Sequence, residues 1–409
     1  MSTFTVPKAL LDEYYSKYAP EMQKRIDQAV TTITNAKKEH QKICVVTGSG
    51  PNIHEGITTL IAELIRKGII DSVLTSSAVI SHEMAGSLDK VKRINGSLIK
   101  HSGMKAGLWL PKGDIFELTL LTPAEKANII DEMHLNADFI AHLESLEGQV
   151  IIKAAGNMAY PMGLRTEMLS EEILKIAEKL KRKYCLEQIA GLGCDPLTMI
   201  GAAARRNVPV MVSIPQMVGG GGVGLCVGDS ISVHDRCQRN AKALGDASII
   251  IESGLALAQE IHDGPFETYT GHGIWSQWQD HPVYSLHGKH LIRFDLDQNL
   301  DTVWQQQRNA GLIQAAIAEG KPKTKLTGVP FRMEMSGFAR LETSLPIIGD
   351  IGSIWPIIAM RVAENLNISL DFLSCPQENP RGQEMRQWIV DNVKMLDKQQ
   401  MLKEVAKLE

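Results

Sequence analysis

Between residues 8 and 38, apolar side chains recur at helical spacing: Leu10, Leu11, Tyr14, Met22, Ile26, Val30 and Ile33. This predicts one or two helices broken near Pro20. The period then changes. Ile43–Thr47 is a short, largely apolar run rich in β-branched residues, closed by Gly48-Ser49-Gly50-Pro51 and followed by a helical stretch over 56–67. The same grammar of strand, small-residue turn and helix returns at 72–75, 150–155, 188–190, 208–214, 248–252 and 291–296. Alternation of this kind predicts right-handed βαβ units and a parallel sheet buried on both faces, so the expected fold class is α/β with a doubly wound parallel sheet.

Two stretches fit the grammar poorly. Residues 95–149 are punctuated by Gly96, Gly103, Gly107 and Gly113, with a helix expected from Thr122-Pro123, and read as an insertion that forms a cap. Residues 321–353 are similarly irregular, and 381–408 reads as one charged amphipathic helix. The expected organisation is N-terminal helices over 1–40, an α/β domain over 41–320 that carries the insertion 95–149, and a C-terminal segment over 321–409.

Composition narrows the partners. A net charge of −4 with basic residues unclustered gives no footprint for nucleic acid or an anionic membrane. No apolar run approaches the roughly 18 residues that cross a bilayer, and the N-terminus lacks a secretory pattern. Six cysteines without a CxxC pair are expected as reduced, buried thiols. A cytoplasmic enzyme is expected, and the apolar C-terminal segments suit a homo-oligomer.

Three loops could hold a dinucleotide, because ligands of open parallel sheets bind at strand carboxyl ends, where backbone N–H groups favour phosphate. The first is Gly48, Ser49, Gly50 and Asn52 after the strand at 43–47. The second is Gly219, Gly220, Gly221 and Gly222 after 208–214. The third is Glu252, Ser253 and Gly254 after 248–252. Each alone also reads as a tight turn, and none is a full G-x-G-x-x-G fingerprint. Asp295 and Asp297, at the end of the strand near 291–296, are placed either to grip ribose hydroxyls or to cap the next helix.

The segment Gly50-Pro51-Asn52-Ile53-His54-Glu55-Gly56, with the helix, strand and turn that run on to Ala78, His82 and Glu83, resembles the NAD-binding domain of the lysine-oxoglutarate reductase/saccharopine dehydrogenase-type ornithine cyclodeaminases. The likeness resumes loosely over 186–305. More distantly, the order of loops is similar to deoxyhypusine synthase. The chain departs from the cyclodeaminases at Ser76-Ser77, where they carry Gly-Asn, and at Glu83, where they carry Asp; the lysine context of deoxyhypusine synthase has no counterpart.

The resemblance implies a deoxyhypusine-synthase-like NAD-binding fold, NAD as cofactor, and cofactor contacts from Ser76, Ser77 and Ala78 as well as the three loops. It also implies transient oxidation at the amine-bearing carbon of a small amino acid or polyamine, as in a deaminase or cyclodeaminase (a lyase). An aminobutyl transferase and a non-catalytic NAD-binding sensor remain as alternatives. His54, His82 and Glu83 are then the candidate catalytic residues, the histidines as acid/base groups and Glu83 to bind a substrate ammonium or orient His82. Lys153, inside an apolar run, is either a base of depressed pKa or an edge-strand lysine that reaches water. Asp195 reads as a helix N-cap or a substrate contact. The stretch from Thr270 to Trp278, rich in tryptophan, glycine and histidine, suggests an aromatic wall or lid. The histidine spacing from His262 to His290 matches no zinc motif, and no metal is expected.

Overall fold

The computed structural model describes residues 3–99, 115–156, 158–215, 221–254, 261–262, 267–270 and 282–408. Its strands, in chain order, are β1 (Lys42–Thr47), β2 (Ser72–Ser76), β3 (Leu88–Asn95), β4 (Ile115–Thr119), β5 (Gly148–Ala154), β6 (Val210–Ile214), β7 (Ala247–Ser253), β8 (His290–Asp295) and β9 (Ser344–Ile348). Six of them form one all-parallel sheet in the order β6-β2-β1-β7-β8-β9.

Both faces of this sheet are covered, which is why its strands read as unbroken apolar runs. On one face Ile43, Val45, Ile251 and Phe294 pack against the helices Pro20–Lys38, Ile57–Arg66 and Ile351–Leu366. On the other, Cys44, Val46, Ile250 and Leu291 pack against Val233–Asp246, Gln298–Ala310 and Met333–Arg340. The chain winds outward from β1 through β2 to β6, then returns to β7 and winds outward the other way. The direction therefore reverses between β1 and β7, the switch point at which doubly wound sheets open a crevice.

Several expectations are corrected. The run at 150–155 is not a strand of the parallel sheet: β5 pairs antiparallel with β3, which also pairs with β4, in a separate three-stranded sheet. That sheet and the helices Pro123–Met133 and Ala137–Ser145 fall within the connection from β2 to β6. Thr122 and Glu125 form the capping box that starts the first of these helices. The stretch 188–190 is helical, within Leu186–Gly191, where Leu186, Ile189 and Ala190 share one buried face. The irregular stretch 321–353 holds β9, whose Pro346 disguised it; a proline is tolerated there because β9 is the outer strand of the sheet. The C-terminal tail is two helices, Pro380–Asn392 and Lys398–Val405. The segment between them docks on the core through Leu396 N to Met84 O and Asp397 N to Gly193 O.

All six cysteines are free thiols. Among the described residues, no helix is long and apolar enough to cross a membrane.

Candidate functional site

At the switch point the loops that follow β1 and β7 are fastened to each other. Asn52 is buried; its Nδ2 donates to Ser253 O at 3.2 Å, and its Oδ1 accepts from Ser253 Oγ at 2.5 Å. Trp355 Nε1 donates to the same hydroxyl at 2.7 Å. Gly50 and Gly254 both have positive φ, +68° and +76°, a backbone that glycine adopts at least cost. A Cβ built on Gly50 would meet nothing within 4 Å, so the loop borders open space. Gly48, Ser49, Gly50, Asn52, Ser253 and Gly254 thus gather in one place, although the polar groups of Asn52 and Ser253 are partly spent on each other.

The neighbouring strand ends supply buried hydroxyls. Thr47 closes β1, and Thr75 and Ser76 close β2; all three are at most 3% exposed, and their hydroxyl oxygens have no hydrogen-bond partner among the described residues. Ser76 is the N-cap of the helix Ser77–Met84, yet its side chain makes no capping bond. An N-cap serine ordinarily accepts from the first helical turn. Here the Ser76 hydroxyl makes no such bond. In this strand order, the end of β2 is also where ribose hydroxyls are gripped, usually by a carboxylate; this chain offers serines.

The other expected acids are already engaged. Asp295 Oδ2 accepts from buried Arg293 at 2.9 Å and from Arg332 at 3.1 Å, and the two arginines hold its carboxyl below the usual range despite burial. Asp297 caps the helix Gln298–Ala310 through Asn299 N and pairs with Arg332 at 3.3 Å. Asp295 ends β8 and Asp297 starts the helix after it, away from β2, so the ribose role does not fall to them. Glu252 is buried with His262 Nε2 2.5 Å away, apposed without hydrogen-bonding geometry, and Arg293 3.8 Å away. It faces the side of the sheet opposite Ser253, within this charge cluster, because successive side chains of a strand alternate.

The glycine loop is partly closed from within. Gly222 N donates to Glu167 Oε1 at 3.0 Å, and a Cβ on Gly221 would lie 2.4 Å from that oxygen. The amide expected to meet phosphate at the start of the helix Gly222–Ser230 instead meets a carboxylate of the protein. Gly219, Gly220, His272, Trp275, Trp278 and His281 lie outside the described residues.

Glu83 is also corrected. Fully buried, it accepts from Met199 N at 2.7 Å and Ile200 N at 3.0 Å, capping the helix Met199–Arg206 from another element. Its carboxylate is therefore directed to backbone amides, and burial pushes its pKa up to about 7 in spite of them. Asp195 is not the N-cap expected of it: Thr198 caps the helix Met199–Arg206, and Asp195 accepts from Leu197 N and Lys394 N instead.

The histidines join a group that no local sequence signal connects. His82 Nδ1 bonds to Ala155 O at 2.5 Å, which assigns the proton to Nδ1; burial lowers its pKa to about 4, and the imidazole is neutral at neutral pH. His54 ends the short helix Pro51–His54, and Arg386 Nη2 lies 3.3 Å from its Nδ1. That nitrogen accepts and leaves Nε2 as the donor. Burial first, then Arg386 and Lys153, lower the His54 pKa. Lys153, on β5, pairs with Glu117 Oε2 at 2.6 Å.

Arg386 and Glu55 are the residues that sequence reasoning missed. Arg386 lies 332 positions from His54 on a helix that looked like a charged tail. Glu55 sits beside His54 in the sequence, which was the available signal. It is buried, accepts from Gln377 N at 2.8 Å, and burial raises its pKa to about 7.

By sequence the chain matches no family model and no curated protein. Among solved structures it is similar to apo ArgZ, an arginine dihydrolase from the ornithine-ammonia cycle in cyanobacteria, at 10% identity and a TM-score of 0.37, over 85% of this chain and 32% of that one. It is similar to AgrE in a ternary complex with ornithine and NAD+ at 11% identity and a TM-score of 0.37, over 85% and 34%. A conserved LOR/SDH protein from Methanococcus maripaludis gives 11% identity and a TM-score of 0.32, over 90% and 71%. The chain spans about a third of the length of the first two. Likenesses this slight leave the site to be read from its own geometry.

Proposed function

We propose that this chain binds NAD across the carboxyl ends of β1, β2 and β7 and uses it to oxidise, transiently, the amine-bearing carbon of a small amino acid or polyamine. The observation that carries the reading is the pair of loops at Gly50–Asn52 and Ser253–Gly254, fastened together at the switch point of the parallel sheet and bordering open space. The unpartnered hydroxyls of Thr47, Thr75 and Ser76 fit a ligand rich in hydrogen-bonding groups, since buried polar atoms are otherwise paired. The backbone at Gly48–Gly50 and the turn at Ser76–Ala78 would hold the phosphates and ribose. When bound, the nicotinamide supplies reversible hydride acceptance.

The remaining work belongs to the chain. His54, its Nδ1 occupied by Arg386, presents an Nε2–H donor to the ligand and does not serve as a base. His82, neutral and fixed to Ala155 O, ties the end of β5 to the helix after β2. The three-stranded sheet is the natural cap to exclude water, which an imine intermediate requires.

Calorimetric titration of NAD into the full chain tests the first half: binding is expected, with Gly50→Val reducing affinity at least tenfold by filling the space above the loop. Incubation with NAD and a panel of amino acids and polyamines, following ammonia and NADH absorbance, tests the second. Absence of heat with both NAD and NADH would refute the nucleotide reading, and NAD binding without turnover of any panel member would refute the oxidation.

A further inference from the structure

Helix Pro380–Asn392 reaches the site because Gly56 lets it. Gly56 has a φ of +68°, and a Cβ on it would lie 2.8 Å from Met385 Sδ and 3.3 Å from Ile389 Cδ1, so the helix sits close against this glycine and a side chain there would push the ends of both residues aside. The approach carries Arg386, next to Met385, to the end of the β1 loop. There Arg386 Nη2 lies against His54 Nδ1 and donates to Ile152 O on β5.

Among the described residues Arg386 bonds to His54 Nδ1 and Ile152 O and pairs with no carboxylate, and its Nε is buried without a partner. Glu55 acts on it only through space and bonds instead to Gln377 N. Lys153, the other fixed cation here, has one partner, Glu117, which Arg93 also approaches at 3.4 Å. A half-buried guanidinium without a counter-charge is costly, and a planar fork of donors is suited to a carboxylate.

We propose that Arg386, with His54 Nε2 and Lys153 beside it, forms an anion seat that takes the carboxylate of an α-amino acid. This rests on the proposed function and narrows its substrate class: a polyamine, all cation, would meet Arg386 and Lys153 as like charges, whereas an amino acid completes the cluster. Arg386 and Lys153 bind; neither exchanges a proton with the reacting carbon.

The test is calorimetric titration of the full chain, with and without NAD, using L-ornithine, L-arginine and L-lysine and their decarboxylated counterparts putrescine, agmatine and cadaverine. At least one amino acid is expected to bind ten or more times tighter than its amine. Arg386→Gln should abolish that preference, a loss of about 30-fold on the scale of a charge-assisted hydrogen bond. Arg386→Lys, which keeps the charge, should retain part of it, and Lys153→Met should cost about fivefold. Thermal melts of each variant separate lost binding from lost folding. Equal binding of amines and amino acids by the native protein, no binding of any of the six, or full preference in a folded Arg386→Gln variant would overturn the proposal. A preference that persists without any heat from NAD would uphold the seat and refute the nucleotide reading.

Discussion

Replacing Glu83 with glutamine sets two forces against each other that the structure allows to be weighed. The carboxylate caps the helix Met199–Arg206 through two amides, which favours its charged form, while complete burial disfavours it. Burial wins, since the pKa rises from 4.5 to about 7. An acid whose pKa is raised by folding stabilises the protein fully below its unfolded value, and that contribution is lost as the pH climbs through the folded value. The interval corresponds to about 3 kcal/mol. Glutamine resembles the protonated acid but can accept from only one direction, so at pH 5 the variant should be about 1 kcal/mol less stable for one weakened amide bond. By pH 8 the balance reverses, and the variant should be more stable than the native chain by about 2 kcal/mol. Urea midpoints of both proteins between pH 5 and 8, followed by circular dichroism, measure the difference directly and cancel every other titrating group. A difference that stays flat with pH, or a native chain that gains on the variant as pH rises, would refute the argument and mean that the helix amides outweigh desolvation.

Other consequences follow from the same geometry. Asn52→Ala removes both bonds to Ser253 and should cost about 1–3 kcal/mol in denaturant titration while weakening NAD binding, because the two loops lose their fastening. Gly56→Ala combines a strained φ of +68° with a contact 2.8 Å from Met385 Sδ, so a loss of about 1–3 kcal/mol is expected, together with weaker amino acid binding as Arg386 shifts. His82, whose pKa falls to about 4 in the folded chain, contributes stability above pH 6.5 that is lost as the pH drops toward 4, about 3 kcal/mol in all; acid unfolding should be shallower in His82→Gln.

How much of this was legible depends on the distance over which each cause acts. β1, β2, β6, β7 and β8 announced themselves because a strand buried on both faces must be apolar at successive positions, and the turn after each needs small residues. β9 was hidden by Pro346, β3 and β4 by charged side chains such as Lys90, Lys92, Arg93 and Glu117, which a small, half-exposed sheet accommodates. The loops at Gly48–Asn52 and Ser253–Gly254 were recognisable singly, as local chemistry at strand ends. Gly222, Glu83, Asp295 and Asp297 looked equally suitable, but their partners Glu167, Met199 and Arg332 are supplied by packing.

The amino-acid order alone determined that the chain would wind a parallel sheet and where its small-residue turns would fall, because hydrophobic period and backbone freedom are properties of neighbouring residues. Which turns face one another, which acids are consumed by the protein's own amides and arginines, and that a helix from the far end of the chain brings Arg386 to His54 were decided only by the tertiary structure. Charge and hydrogen bonding act through space, and the strand order β6-β2-β1-β7-β8-β9 makes neighbours of residues about 200 positions apart.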